Sequence, residues 1–103
     1  MAFVWDPAKA AENVRRHNVY FEDAEHIFDD PFRMKRRDDD SSITEERYQT
    51  LGEAGSVLFV VYTEEDPDDM RLITARLATA KERRIYYGRT GTAYPYGWER
   101  VNP

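Results

Sequence analysis

Cysteine is absent from all 103 residues. That excludes disulfides, a thiolate nucleophile and any zinc site built on sulfur, and it fits a reducing compartment. Long apolar runs are missing too: the longest, Val57 to Tyr62, is far too short to cross a bilayer. The opening Met-Ala-Phe-Val-Trp-Asp lacks the basic-then-apolar pattern of a secretory leader. A soluble, cytoplasmic protein with no membrane partner is expected. Positive charge is scarce overall, with 15 Lys and Arg against 20 Asp and Glu and a net charge of -5. Any anion-binding role must therefore rest on where the cations sit, not on how many there are. No phosphate-cradling glycine loop, serine elbow or dinucleotide fingerprint occurs, which removes the common nucleotide and hydrolase readings. The acidic runs Asp38 to Asp40 and Asp66 to Asp69 lack the ligand spacing of a calcium loop, so no metal or cofactor is expected.

What is present suits one small domain. Aromatic residues at 14% supply core, while the length allows a single core and a surface groove, not a deep cavity. Phe3 to Trp5 reads as a short strand, and Asp6-Pro7 as an N-cap followed by a first-turn proline. A helix from Pro7 to Arg16 follows, with Asn18 as a left-handed stop. Phe21, Ala24, Ile27 and Phe28 recur at helical spacing over Phe21 to Phe28, before Asp29-Asp30-Pro31 ends the segment. From Phe32 the period becomes two. Strands are expected around Phe32 to Lys35, Arg47 to Leu51, Ser56 to Thr63 and Met70 to Ala75. Gly52-Glu53-Ala54-Gly55, Asp38-Asp39-Asp40-Ser41-Ser42 and Glu64 to Asp69 are expected as connectors. Thr79 and Glu82 have capping-box spacing for a last helix that stops at Gly88. The fold class is α+β: a small antiparallel sheet with two N-terminal helices and one C-terminal helix. Residues 89–103 read as a tail of neither period, which packs only if Tyr94, Tyr96 and Trp98 find a groove.

The cations are not scattered. Arg71, Arg76, Lys81, Arg83 and Arg84 fall within one strand-to-helix segment beside a single acid, Glu82. With Arg47 these guanidinium forks suit a phosphate and the extra charge of a phosphorane, although surface ion pairs explain them equally well. Strict alternation puts Arg71 and Arg76 on opposite faces, so they converge only if Arg76 lies beyond the strand end. Glu45 and Arg47 share a face, as a base beside a clamp or as a simple pair. His17 is either a proton carrier or a helix-end residue bonding carbonyls, and His26 is expected on the surface.

Taken in order, Phe3-x-Trp5-Asp6-x-x-Lys9, Asn13-x-x-Arg16-His17, Phe21-x-x-Ala24, Phe28-x-Asp30-Pro31, Glu45-x-Arg47-Tyr48, Gly52 and Arg71-x-Ile73-x-Ala75-Arg76 resemble the BrnT family of type II toxins. The resemblance implies a RelE-like fold over residues 1–88, with residues 89–103 as a tail. It implies a metal-independent RNA endonuclease that arrests translation. The implied partner is a BrnA-like ribbon-helix-helix antitoxin, through which alone operator DNA is reached. The implied catalytic set is His17, Glu45, Arg47, Arg71 and Arg76, with Glu45 or His17 as base, and Lys9, Lys81 and Tyr86 are the implied RNA contacts. Two rival readings stand beside it: an antitoxin-binding module without cleavage, and an RNA-binding domain without chemistry.

Overall fold

The structure, a computed structural model, describes residues 2–39, 45–66, 68–88 and 95–102. The expected loop at Asp40 to Ser42, Pro67 of the acidic turn and Tyr94 of the tail lie outside the described residues. In chain order the elements are β1 (Ala2–Val4), α1 (Pro7–His17), α2 (Phe21–Ala24) running into a 3-10 turn (Glu25–Asp29), β2 (Met34–Arg37), β3 (Tyr48–Ala54), β4 (Ser56–Asp66), β5 (Asp69–Leu77), α3 (Ala80–Tyr87), a second 3-10 turn (Pro95–Gly97) and β6 (Glu99–Arg100). They form one six-stranded sheet of order β1-β5-β4-β3-β2-β6, antiparallel except where β1 runs parallel to β5.

Both faces of the sheet are dry at their centre, which is why β4 reads as an unbroken apolar run. Leu58, Val60 and Tyr62 point to one face and pack with Phe21, Ala24, Ile27, Leu72 and Ala75 beneath α1 and α2. Val57 and Phe59 point to the other and pack with Met34, Leu51, Ala78, Tyr86 and Trp98 beneath α3. The tail thus contributes to the structure: Trp98 is buried and β6 pairs with β2. Burial of such large side chains stabilises by roughly 1.5–3 kcal/mol each.

Local signals fix the helix ends. The Asp6 carboxylate accepts from the Ala8 amide at 2.8 Å, and Asn18 closes α1 at φ 56°, donating its amide to the Val14 carbonyl at 2.8 Å. Thr79 and Glu82 form a reciprocal capping box on α3. The segment Gly52 to Gly55 departs from expectation. β3 continues to Ala54 and only Gly55, at φ 76°, makes the turn. Gly52 is there for close approach instead: a Cβ on it would lie 2.8 Å from the Ile27 Cβ. The expected helix over Phe21 to Phe28 tightens to 3-10 geometry after Ala24.

The decisive irregularity is in β5. Val61 pairs with Thr74 but its neighbour Tyr62 pairs with Leu72, so Ile73 is an extra residue. This bulge inverts the alternation expected along the strand. Arg71 stands opposite Thr63 and Arg76 opposite Phe59, and those two β4 residues share a face. The two arginines therefore point the same way, whereas strict alternation separates them. Just past the bulge, Asn13 of α1 clasps the open edge of β5. Its amide donates to the Ala75 and Val19 carbonyls, both at 2.9 Å, and accepts from the Ala75 N–H at 3.0 Å. Asn13→Ala leaves these buried backbone groups unpaired and is expected to cost about 2–3 kcal/mol. Thermal melting checks this: a fall of roughly 10 °C or more is expected for a chain of this size, and an unchanged midpoint would show the clasp to be dispensable.

Candidate functional site

The face carrying Arg71 and Arg76 is only partly roofed by α3 and Trp98. On its open part, Glu45 stands between two arginines. Its Oε1 accepts from Arg47 Nε at 3.2 Å and Nη2 at 3.1 Å, and its Oε2 accepts from Arg71 Nη2 at 2.6 Å. Arg71 also donates from Nε to Glu65 Oε1 at 2.5 Å, and the same oxygen accepts from Thr63 Oγ1 at 3.2 Å. Hydrogen bonds from Arg71 and then Thr63 hold the Glu65 carboxyl below its ordinary range. The Glu65 hydrogen bond, ahead of the nearby Glu45 charge, holds Arg71 more firmly protonated than usual despite some desolvation.

Arg76 lies along the same face with a different partner. Its fork meets the Glu82 carboxylate bidentately at 2.8 and 3.0 Å, and the guanidinium lies 4.0 Å over the Phe59 ring. Glu82 thus has two tasks, holding Arg76 and capping α3. Among the expected residues the structure gathers Glu45, Arg47 and Arg71 into one cluster and places Arg76 on the same face.

His17 and Lys9 are elsewhere. They line a cavity of about 160 Å³ with Glu12 and Arg16 at the open edge of β5, where Ile73 and Thr74 form the opposite wall. Glu45 and His17 are therefore not brought together as alternative bases of one cluster. Lys81 sits with its ammonium 4.2 Å over the Tyr96 ring. Tyr86, expected as an RNA contact, is instead a core residue, 1% exposed, with its hydroxyl donating to the Asp30 carboxylate. Its ring fills the space between α3 and the sheet and is not offered to a ligand. His26 is exposed as expected.

Three partners escape a reading of the sequence. Glu65 does so because β4 runs on to Asp66, past the expected end at Thr63, and the period of two then puts Glu65 on the arginine face. Arg36 and Gln49 are neighbours on that face, with Arg36 Nε donating to Gln49 Oε1 at 2.7 Å. Their signal was the pairing register, which local pattern does not contain. No group of three or more metal-ligating side chains converges among the described residues, and no described helix is long and apolar enough to cross a membrane.

A small α+β protein with an arginine-and-carboxylate cluster on one open sheet face is thus defined. The profile of the BrnT family, ribonuclease toxins of type II toxin-antitoxin systems, matches residues 5–82. The chain belongs to that family. A solved structure of the ribonuclease toxin BrnT of Brucella abortus, at 1.1 Å resolution, shares the fold with a TM-score of 0.57 and 19% identity, over 77% of this chain and 97% of that one. No curated protein matches.

Glu82 gives a prediction in pH. Burial acts to raise its pKa, but the hydrogen bonds from Arg76 and the Thr79 amide outweigh it, and the carboxyl lies below its ordinary 4.5. A depressed folded pKa means stability that is present above the unfolded value and lost as the pH falls through the folded one. Glu82→Gln, which keeps a capping amide, is expected to flatten the acid limb of the melting-temperature curve below about pH 4.5. An acid limb as steep as that of wild type would mean that other carboxylates dominate it.

Proposed function

We propose that this chain is the toxin of a type II toxin-antitoxin pair, cutting RNA without a metal ion and so arresting translation in the cytoplasm. A BrnA-like ribbon-helix-helix antitoxin neutralises it and alone carries the pair to operator DNA. The observation that carries the reading is the Glu45 carboxylate held between Arg47 and Arg71 on an open face that Arg76 shares.

Attack of a ribose 2'-hydroxyl on the adjacent phosphorus needs a base, a charge stabiliser and a proton donor to the leaving oxygen. Glu45 is placed to take the 2'-hydroxyl proton. The O2'–P bond forms, charge gathers on the non-bridging oxygens against Arg47 and Arg71, and the P–O5' bond breaks with the proton returned to O5'. Arg76 supports a further phosphate or the same one along the face. Every clamp in the cluster is already opposed by a carboxylate, so the RNA phosphate takes the place that Glu65 or Glu82 holds in the free protein, while Glu45 turns from its arginines to the 2'-hydroxyl. This exchange keeps affinity for bare RNA modest, in line with the net charge of -5. His17, the other residue expected as base, lines the separate cavity at the β5 edge and serves as base only if the scissile phosphate binds there.

The same opposition of charges favours a second reading, an antitoxin-binding module or RNA-binding domain that has little or no cleavage. Purified protein in EDTA separates the two. Wild type is expected to cut RNA and to be blocked by its antitoxin, and Arg71→Ala and Arg76→Ala each to lose roughly a hundredfold in rate. Folded Arg71→Ala and Arg76→Ala variants with full activity would remove both arginines from the chemistry, whereas RNA bound but intact throughout selects the second reading. Glu65→Gln, which removes one competing charge from a largely exposed pair, is expected to tighten RNA binding a few-fold with little change in stability; weaker binding would make Glu65 an orienting partner of Arg71 first.

A further inference from the structure

Tyr96 combines two properties that folding does not require. It is a bulky residue in the left-handed region, at φ 62° and ψ 30°, followed by Gly97 at φ 81°. Glycine or asparagine occupies such a position by default, and a β-substituted aromatic there carries a local strain of about 1 kcal/mol or more. Yet the ring is not burying itself in return, because Tyr96 is 63% exposed. The surroundings hold the strained turn in place: Arg36 Nη1 donates to the Tyr96 carbonyl at 2.8 Å, and Arg36 is itself stacked 4.5 Å over the buried Trp98. The turn lies beyond residues 5–82, which the family profile matches.

Beside the ring, a groove of about 360 Å³ runs between Tyr96-Gly97 and the Arg36-Arg37 end of β2, with Tyr48 as a further wall. That volume is within the usual range for a small-molecule site. The groove is not a plain anion hole, since Asp39 and Glu99 also line it and Arg37 is paired with Asp39 at 3.2 Å. A flat ring with the Lys81 ammonium 4.2 Å from its centroid, next to arginines, suits a neutral π surface joined to a phosphate. Register connects this groove to the cluster. Arg36 stands opposite Gln49 on the face that holds Arg71 and Arg76, while Arg37 and Tyr48 alternate to the other face, so the path from the Glu45 cluster to Tyr96 runs by Gln49 and Arg36 and the groove lies at the sheet edge beyond them.

We propose that Tyr96, with Lys81 and Arg36, forms a base-stacking subsite for a nucleotide of single-stranded RNA flanking the scissile phosphate. The proposal rests on the ribonuclease reading of the Glu45 cluster and adds a second point of substrate contact. Tyr96→Gly is the informative variant because it removes the ring and the backbone strain together. The probe is a short single-stranded oligoribonucleotide with 2'-O-methyl sugars, which lacks the nucleophile and binds without turnover. In fluorescence anisotropy Tyr96→Gly is expected to weaken binding roughly tenfold, with a melting temperature equal to or above that of wild type, and Tyr96→Phe to retain wild-type affinity. Equal affinity of Tyr96→Gly and wild type, with cleavage intact in wild type and lost in Arg71→Ala, overturns the subsite and leaves the ribonuclease reading standing. A wild type that neither binds the probe nor cuts RNA overturns both.

Discussion

The Asn13 amide is the contact on which the rest of the architecture depends. β1 pairs with β5 only as far as Arg71, and beyond that point no further described strand pairs with this edge, against which α1 packs. A buried, unpaired N–H and C=O at Ala75 would be costly, and Asn13 meets both while also holding the Val19 carbonyl that starts the path toward α2. One side chain thus docks the helix, closes the edge and fixes β5 directly after its bulge. The bulge is what turns Arg71 and Arg76 toward a common face. Without it Arg71 and Arg76 would be divided between two faces, one of them filled by Phe21, Ile27 and their neighbours.

Charge is organised locally within an acidic chain. Arg71 meets Glu45 and Glu65, Arg47 meets Glu45, and Arg76 meets Glu82. These pairs are partly exposed, and such pairs add little to stability, so their main consequence is orientation. Each guanidinium is held in a defined direction on the open face and covered by a carboxylate, the group that an RNA phosphate replaces in the function we propose. The buried Arg33 on the other face is a contrast. It is 6% exposed, stacks on Phe28 and donates to Thr50 within the core.

What a sequence shows about this molecule divides by range. Asp6-Pro7, Asn18 and the Thr79 to Glu82 capping box were legible because caps are decided within four residues, and the apolar run of β4 was legible because a strand dry on both faces has no polar alternation to confuse it. That Glu45 and Arg47 share a face was legible from the period of two, whereas grouping Arg71 with them rested on residue type and the family resemblance and not on spacing. The shared face of Arg71 and Arg76 was not legible, since a bulge is a property of pairing with β4 and Ile73 itself is an ordinary strand residue. Gly52 looked like a turn because glycine signals both turns and close approach, and only the position of Ile27 distinguishes them. Tyr86 and Tyr96 carry the same side chain, one in the core and one on the surface, and nothing local separates their roles.

In the function we propose, one sheet face, and not the α1 edge, receives the nucleic acid. Titrating the 2'-O-methyl oligoribonucleotide into the protein while following the arginine side-chain Nε–H resonances by NMR tests it most directly. Arg36, Arg47, Arg71 and Arg76 are expected to move together while Arg33 stays still. Movement confined to Arg16 and its surroundings near His17, with Arg47 and Arg71 unperturbed, would contradict it.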